Sequence, residues 1–365
     1  MSATDYKFEG WGAFGPDSVE GNFKKFEYEP KPWEETDVDI KIMYCGVCGS
    51  DLHTASSGWG AADYPQVVGH EICGVAVRVG SKVTHIKEGD IVGVGAQCDS
   101  CNDCRECNKQ KENRCTGMVG TYGGKFKKEG PAKDAKSYGG YASYNRSPGH
   151  FVVKIPDGLD PAFAAPMLCG GVTVYNPLVS NGAGPGVDVG VIGIGGLGHF
   201  ALLFAKALGA NVTAISHSER KKEDAMKLGA SKFIATHSGG EQDFAPHARS
   251  LDLIIATTND PEMPLGGYLS LLRPDGKLIL VGAPEKPLPA LSPFQLIPGS
   301  ISIGGSIIGS PSLISEMLDL AVKHKVEPWV QKRSMDKVNE VIPLMNKGDV
   351  KYRYVLVNEE NGGKL

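Results

Sequence analysis

The chain lacks a charge imbalance, a long apolar run and an export signal, and each absence removes a class of function. Lysine plus arginine number 38 against 42 for aspartate plus glutamate, a formal net charge of −4. Neither the basic footprint of a nucleic-acid binder nor a polyacidic tail follows from that balance. Apolar stretches are broken by glycine before they reach the roughly 18 residues of a membrane span. The start, Met1–Glu9, has no basic segment followed by an apolar one, so no secretory leader is read there. No internal repeat stands out, and no low-complexity tract exceeds the lysine- and glycine-rich stretch at 125–140. With 41% hydrophobic and 22% charged residues, a mainly disordered or collagen-like chain is excluded. At 365 residues the chain is too long for one ordinary core and suits two domains. It is expected to be soluble and cytoplasmic, with no membrane and no nucleic-acid partner.

Glycine, by contrast, is abundant at 48 residues, and the nine cysteines are unevenly placed. Cys98, Cys101, Cys104, Cys107 and Cys115 crowd one short stretch. In a reducing compartment that crowding reads as metal ligation rather than disulfide bonding. Cys101, Cys104, Cys107 and Cys115 form C-x2-C-x2-C-x7-C, and four thiolates from one loop close a tetrahedron around zinc with no open position. The expected role is structural. An iron–sulfur cluster is the rival for such a pattern, and Cys98 starts an overlapping C-x2-C-x2-C that would shift the quartet by one ligand. The loop's Arg105, Lys109, Lys111 and Arg114 are balanced by Asp99, Asp103, Glu106 and Glu112, a solvated face rather than a nucleic-acid surface.

A second set is dispersed: Cys48, His70 with Glu71, and Cys169. Taken singly, each is more often a packed or surface residue than a ligand. Together they supply two thiolates, an imidazole and a carboxylate, the mixture suited to a catalytic zinc with an exchangeable position.

Along the chain the texture changes twice. The first 155 residues alternate strand-like runs with turns, among them Val38–Tyr44, Gly74–Val79 and Ile91–Val94. Residues 125–140, rich in glycine and lysine, read as a mobile surface loop. From Val187 to about Gly304, strand-like and helical runs alternate: Val187–Ile192, Leu197–Leu208, Val212–Ile215, Glu219–Leu228, Leu251–Ala256 and Leu278–Val281. That alternation predicts βαβ units and a parallel sheet. Helices are then expected over Leu313–His324 and Met335–Asn346, with a closing strand at Tyr352–Val357. The inferred architecture is an α/β domain inserted into a β-rich domain built from both ends. Within the α/β part, Gly193-Ile194-Gly195-Gly196-Leu197-Gly198 follows a strand and opens a helix. Gly193 permits the tight turn, Gly195 lets a pyrophosphate approach the backbone, and Gly198 allows close helix packing.

The motifs CGVCGSDLH (45–53), GHE (69–71), the four-cysteine loop, LCGGVTVY (168–175), GIGGLG (193–198) and KGDVKYRY (347–354) resemble the zinc-dependent medium-chain alcohol dehydrogenases. The cinnamyl alcohol dehydrogenase-like, NADP-dependent branch is the most similar, and the resemblance runs from about Trp11 to Val357. It implies an α/β chain with a GroES-like β-rich catalytic domain (1–166 and 304–365) and a Rossmann doubly wound parallel-sheet domain (167–303). It also implies two zinc ions per subunit, NADP(H), alcohol and aldehyde substrates, and a homodimer.

Carried over by position, Cys48, His70 and Cys169 resemble the catalytic zinc ligands, and Glu71 the acidic residue that can take the fourth position. Ser50 and His53 resemble the proton relay, and Asp51 the partner that fixes the His70 imidazole. Thr173, Gly193, Gly195, Gly196, Leu197 and Gly198 fall at cofactor-binding positions. For the cofactor's 2′-phosphate the resemblance points to Ser216, His217 and Lys221, with Ser218 and Arg220 as helpers. An NAD-preferring fold places Asp or Glu where Ser216 stands. Glu219 is the one discordant residue nearby. Gly120 occupies the place of a pocket-lining Trp in lignin-pathway members, so a broader aldehyde pocket is expected, with Trp59 a candidate aromatic wall. Two readings compete: a nucleotide-fold binding protein without catalysis, and a zinc-free quinone reductase. The first requires a broken catalytic set and the second requires both metal sets to be missing, whereas both are intact.

Overall fold

A computed structural model describes residues 4–237, 239–284, 286–348 and 350–365. Met1–Ala3 of the N-terminal segment and Asp349 of the 347–354 motif lie outside the described residues. The chain divides into two compact units, one comprising Met1–Cys169, Gly309–Val322 and Trp329–Leu365, the other Gly170–Ile308 and Lys323–Pro328.

In the first unit, Asp37–Gly46 is the central strand. It pairs antiparallel with Ile72–Val79 on one side. On the other, Tyr144–Pro148 covers its first half and Arg353–Val357 its last residues. Covered by neighbours along both edges, it buries most of its side chains, and Val38, Ile40 and Ile42 are fully inaccessible. Arg353–Val357 also runs parallel to Val330–Ser334. The last strand therefore delivers residues from the C-terminal end of the chain to the end of the central strand. The helices Pro311–His324 and Val338–Asn346 lie where the sequence places them. The 125–140 segment is largely exposed but pinned, with Phe126 and Ala132 in the core and a bridge between Lys125 and Lys136.

One continuous helical run, Pro161–Ser180, is long and apolar enough to cross a membrane by composition, although the sequence shows no unbroken apolar stretch of that length. Its apolar window is 89% buried, so its composition serves the core. Its middle, Met167–Gly171, is π-helical. Such one-turn irregularities redirect a side chain and recur at functional sites; here the residue at its centre is Cys169.

In the second unit, among the described residues, six strands form a parallel sheet in the order Lys232–Ala235, Asn211–Ser216, Asp188–Ile192, Leu251–Ala256, Leu272–Leu280, Ser302–Gly305. Numbered along the chain this is 3-2-1-4-5-6, the doubly wound dinucleotide-binding order. The central strands Asp188–Ile192, Asn211–Ser216 and Leu251–Ala256 are buried along most of their length and rich in Val, Ile, Leu and Ala, as parallel strands covered on both faces are. The strand Asp188–Ile192 ends in the glycine loop, which opens the helix Gly198–Ala207. Gly193 has φ +84°, a turn that disfavours any side chain. A Cβ on Gly198 would sit 1.8 Å from the Gly193 carbonyl, so the helix can start this close only with glycine there.

Candidate active site

The first-unit site is assembled where the central strand ends. Val47 N–H donates to the Tyr354 carbonyl at 2.9 Å, and the chain turns at Cys48 into the helix Gly49–Ala55. Cys48 is its N-cap, and Asp51 reaches back so that Oδ2 accepts the Cys48 N–H at 2.9 Å. Ser50 lies beside Cys48, its Oγ 3.7 Å from Cys48 Sγ. His53 is three residues further on the same helix and stacks on Trp59, with ring centroids 4.6 Å apart and planes at 15°. Trp59 is half exposed, so it is a surface ring laid against His53 rather than a core tryptophan.

His70 and Glu71 immediately precede the strand Ile72–Val79. Gly69 turns the chain there at φ +97°, and a Cβ would come within 2.6 Å of the Tyr141 ring. Cys169 Sγ lies 3.1 Å from His70 Nε2. The ligand atoms of Cys48, His70, Glu71 and Cys169 all fall within 4.8 Å of one another, and all four residues are buried. Two thiols, an imidazole and a carboxylate packed this closely fit a zinc ion that keeps one exchangeable position.

The electrostatics suit a cation. Hydrogen bonding from Cys169 holds the Cys48 thiol well below its ordinary pKa despite burial, with His70 adding to the effect. Burial works against charge on His70, but Asp51 and Cys48 carry its pKa up to about 9. Burial raises Glu71 to about 7 against the pull of the Arg353 guanidinium. Protons crowded among anionic donors are what a divalent cation displaces.

Arg353 was not singled out by motif spacing. It lies on the last strand, is buried, and its Nη2 pairs with Glu71 Oε1. The available signal was an arginine opening the otherwise apolar Arg353–Val357, because a buried arginine needs a partner. Tyr122 and Tyr141, which contact His70 and Asp51, carried no such signal.

The four-cysteine loop forms its own cluster. Cys101, Cys104, Cys107 and Cys115 have their sulfurs within 4.8 Å of one another. The backbone N–H of Cys107 leads the interactions that lower the Cys104 pKa to about 7, favouring the thiolate. Cys98 stands apart: its buried thiol donates to the Gly120 carbonyl at 3.3 Å, and burial pushes its pKa up. The four sulfurs that converge are therefore those of Cys101, Cys104, Cys107 and Cys115.

In the second unit, a cavity of ≈ 330 Å³ is lined by Gly193 and Gly195 of the glycine loop, by Ser216, His217, Ser218, Arg220 and Lys221 after the second strand, and by Thr257 and Thr258. Gly196 and Leu197 lead from that loop into the helix, and Thr173 is buried in the helix Val172–Ser180. Lys221 Nζ donates to the Ile194 carbonyl at 2.6 Å. Glu219 is exposed, pairs with Lys222 at 3.3 Å, and is not among the lining residues.

A GroES-like β unit with two zinc-type clusters, joined to a unit with a dinucleotide-binding sheet, defines a metal-dependent oxidoreductase. Residues 34–157 match the alcohol dehydrogenase GroES-like domain, and residues 196–323 match the zinc-binding dehydrogenase domain. The chain is 46% identical to 8-hydroxygeraniol dehydrogenase of Catharanthus roseus over 351 residues, 95% of this chain and 94% of the relative. Among solved structures, a cinnamyl alcohol dehydrogenase of Sorghum bicolor matches with TM-score 0.90 and 38% identity, covering 98% of this chain and 99% of that one. CAD from Helicobacter pylori, complexed with NADP(H), matches with TM-score 0.87 and 33% identity over 97% and 99% of the two chains. The chain belongs to the zinc-dependent medium-chain alcohol dehydrogenases, among their cinnamyl alcohol dehydrogenase-like members. It is an alcohol dehydrogenase.

Proposed function

We propose that the chain is an NADP(H)-dependent alcohol dehydrogenase and aldehyde reductase holding two zinc ions, acting on primary alcohols and aldehydes of aromatic and aliphatic type. The observation that carries this reading is the buried convergence of Cys48, His70, Glu71 and Cys169 beside Ser50. Cys48, His70 and Cys169 would hold the catalytic zinc with Glu71 in reserve, and the four-cysteine loop the structural one. When bound, the catalytic zinc supplies Lewis acidity toward a carbonyl or alcohol oxygen, and the nicotinamide supplies or accepts the hydride.

The chain's own residues position groups and move the proton. Ser50 Oγ passes it between the substrate oxygen and His53, one helical turn away, whose imidazole suits the solvent end of a relay. Ser50→Ala is expected to keep zinc and cofactor and to lose roughly 10²–10⁴-fold in rate, the usual worth of positioned proton transfer. An unchanged kcat, with chemistry shown to limit turnover, would remove Ser50 from the mechanism.

Ser216, His217 and Lys221 would hold the cofactor's 2′-phosphate, assisted by Ser218 and Arg220. Support comes from the small hydroxyl where an NAD-preferring fold has a carboxylate, and from Glu219 being engaged with Lys222. Each charge-assisted phosphate contact contributes about 1.5–3 kcal/mol. Lys221→Ala is thus expected to raise the KM for NADPH roughly tenfold or more while leaving NADH little changed. Equal kcat/KM for NADH and NADPH in the unmutated enzyme would defeat the cofactor assignment.

Gly120 supports a broad pocket because it carries no side chain where lignin-pathway members have a Trp; a Cβ there would already crowd the Tyr122 carbonyl at 3.1 Å. A rate survey across cinnamyl, benzyl and straight-chain aldehydes tests it. We further propose a cytoplasmic homodimer. Among the described residues, the edge strand Ser302–Gly305 has a neighbour on one side only, and Leu291, Phe294 and Ile297 before it are exposed. An open edge beside an apolar patch suits pairing with a second copy. A single-chain mass in sedimentation equilibrium would contradict it.

A further inference from the structure

Tyr122 lies seven residues beyond the last cysteine of the four-cysteine loop. Its hydroxyl is 3.0 Å from His70 Nδ1, nearer than Asp51 Oδ1 at 3.4 Å. The two rings are stacked, with centroids 5.3 Å apart and planes at 27°. Asp51, to which the resemblance assigns the His70 contact, is heavily engaged elsewhere. Its Oδ2 accepts from Cys48 N–H and from the Tyr141 hydroxyl, both at 2.9 Å, and its Oδ1 accepts from Gly69 N–H at 3.2 Å. The backbone carrying Tyr122 is anchored one residue earlier. Thr121 N–H donates to the Ala96 carbonyl at 3.1 Å, and its hydroxyl donates to the Gly95 carbonyl.

We infer that Tyr122 is a positioning residue for His70, fixing the tautomer and ring plane that direct Nε2 toward Cys48 and Cys169. With Nδ1–H donated to the phenol oxygen, the Nε2 lone pair is left facing the thiols, and Cys169 Sγ stands 3.1 Å from it. Asp51 Oδ1 stands 3.4 Å from the same nitrogen, so carboxylate, phenol and imidazole meet at one point. The stacked ring prevents the imidazole from rotating out of that plane. Partners of this kind orient a metal-binding histidine and raise its basicity.

The inference rests on the zinc reading of the cluster, which the metal content of the unmutated enzyme tests separately. The experiment uses Tyr122→Phe, which keeps the ring and removes only the hydroxyl, with Asp51→Asn as the comparison. The purified zinc enzyme is challenged with a chelator to measure release of each zinc, and the cobalt-substituted enzyme is examined by visible absorption. Removing such a partner typically costs 10–100-fold in metal affinity. Tyr122→Phe is expected to weaken the catalytic site by roughly that factor. The cobalt bands should shift, while the four-cysteine zinc and NADPH affinity stay unchanged. Unaltered zinc release and cobalt spectrum in Tyr122→Phe, with the whole effect in Asp51→Asn, would overturn the inference and leave Asp51 as the orienting group. Lost activity with unaltered metal binding would also overturn it, and would make Tyr122 a substrate contact. An unmutated enzyme with no zinc beyond the four-cysteine site would defeat the underlying zinc reading instead.

Discussion

Cys48→Ser is expected to abolish turnover and leave the fold intact, whereas Cys104→Ser is expected to cost stability first. The two cysteines differ in what surrounds them. Cys48 caps a helix whose N-terminus is held by backbone and Asp51 contacts that survive the substitution, in a region packed around Val38, Ile40 and Ile42. Its loss removes a thiolate from the reaction centre and little from the core. Cys104 belongs to a loop whose described secondary structure is only short 3-10 turns, Cys107–Lys109 and Glu112–Arg114. Such a loop has few apolar side chains to bury, so metal binding supplies much of its order. In small zinc domains that binding is worth on the order of 10–16 kcal/mol, and it is folding energy. Cys104→Ser should therefore lower the thermal midpoint and the zinc content by about one ion per chain. Cys48→Ser should lower the zinc content by a similar amount without a comparable loss of midpoint. Fully active protein with one zinc or none would refute the two-site assignment.

Arg353→Met is expected to destabilise the first unit by about 3–5 kcal/mol, the usual penalty for removing one partner of a buried ion pair. Both members are almost inaccessible, at 2% for Arg353 and 0% for Glu71. The methionine fills much of the volume, so the loss reports the stranded carboxylate rather than a cavity. Glu71→Gln together with Arg353→Met should recover part of that loss, because a neutral amide is cheaper to bury than an unpaired carboxylate. Chemical denaturation of the single and the double variant measures this. A single variant within about 1 kcal/mol of the unmutated protein, the range of exposed pairs, would show that the pair does not hold the site together.

How far the site was legible depends on how far apart its members lie in the chain. The four-cysteine cluster was readable because its ligands share one short loop, where spacing is geometry. The glycine loop was readable for the same reason: strand, turn and helix start are consecutive, and Gly193 and Gly198 meet the steric demands that their spacing implies. The sequence favours the 101/104/107/115 quartet with Cys98 as a spare thiol, but the physical reason for leaving Cys98 out was not readable. Its spacing also suits ligation, and only the pairing of Gln97–Asp99 with Val119–Gly120 turns its thiol toward a carbonyl.

By itself, the sequence determined the alternation of strands and helices, the two cysteine systems and the hydroxyl that stands in place of a carboxylate after the second parallel strand. These are short-range patterns, set by side-chain period and by loop lengths of a few residues. Tertiary structure alone decided that Arg353, 282 positions from Glu71, would be its buried counter-charge, and that Tyr122, 52 positions from His70, would hold its second nitrogen. Those contacts depend on the last strand joining the central one and on Val119–Gly120, just before Tyr122, pairing with Gln97–Asp99. Many chain paths satisfy the local pattern, and only the packed core selects the one that brings such distant groups within hydrogen-bonding reach.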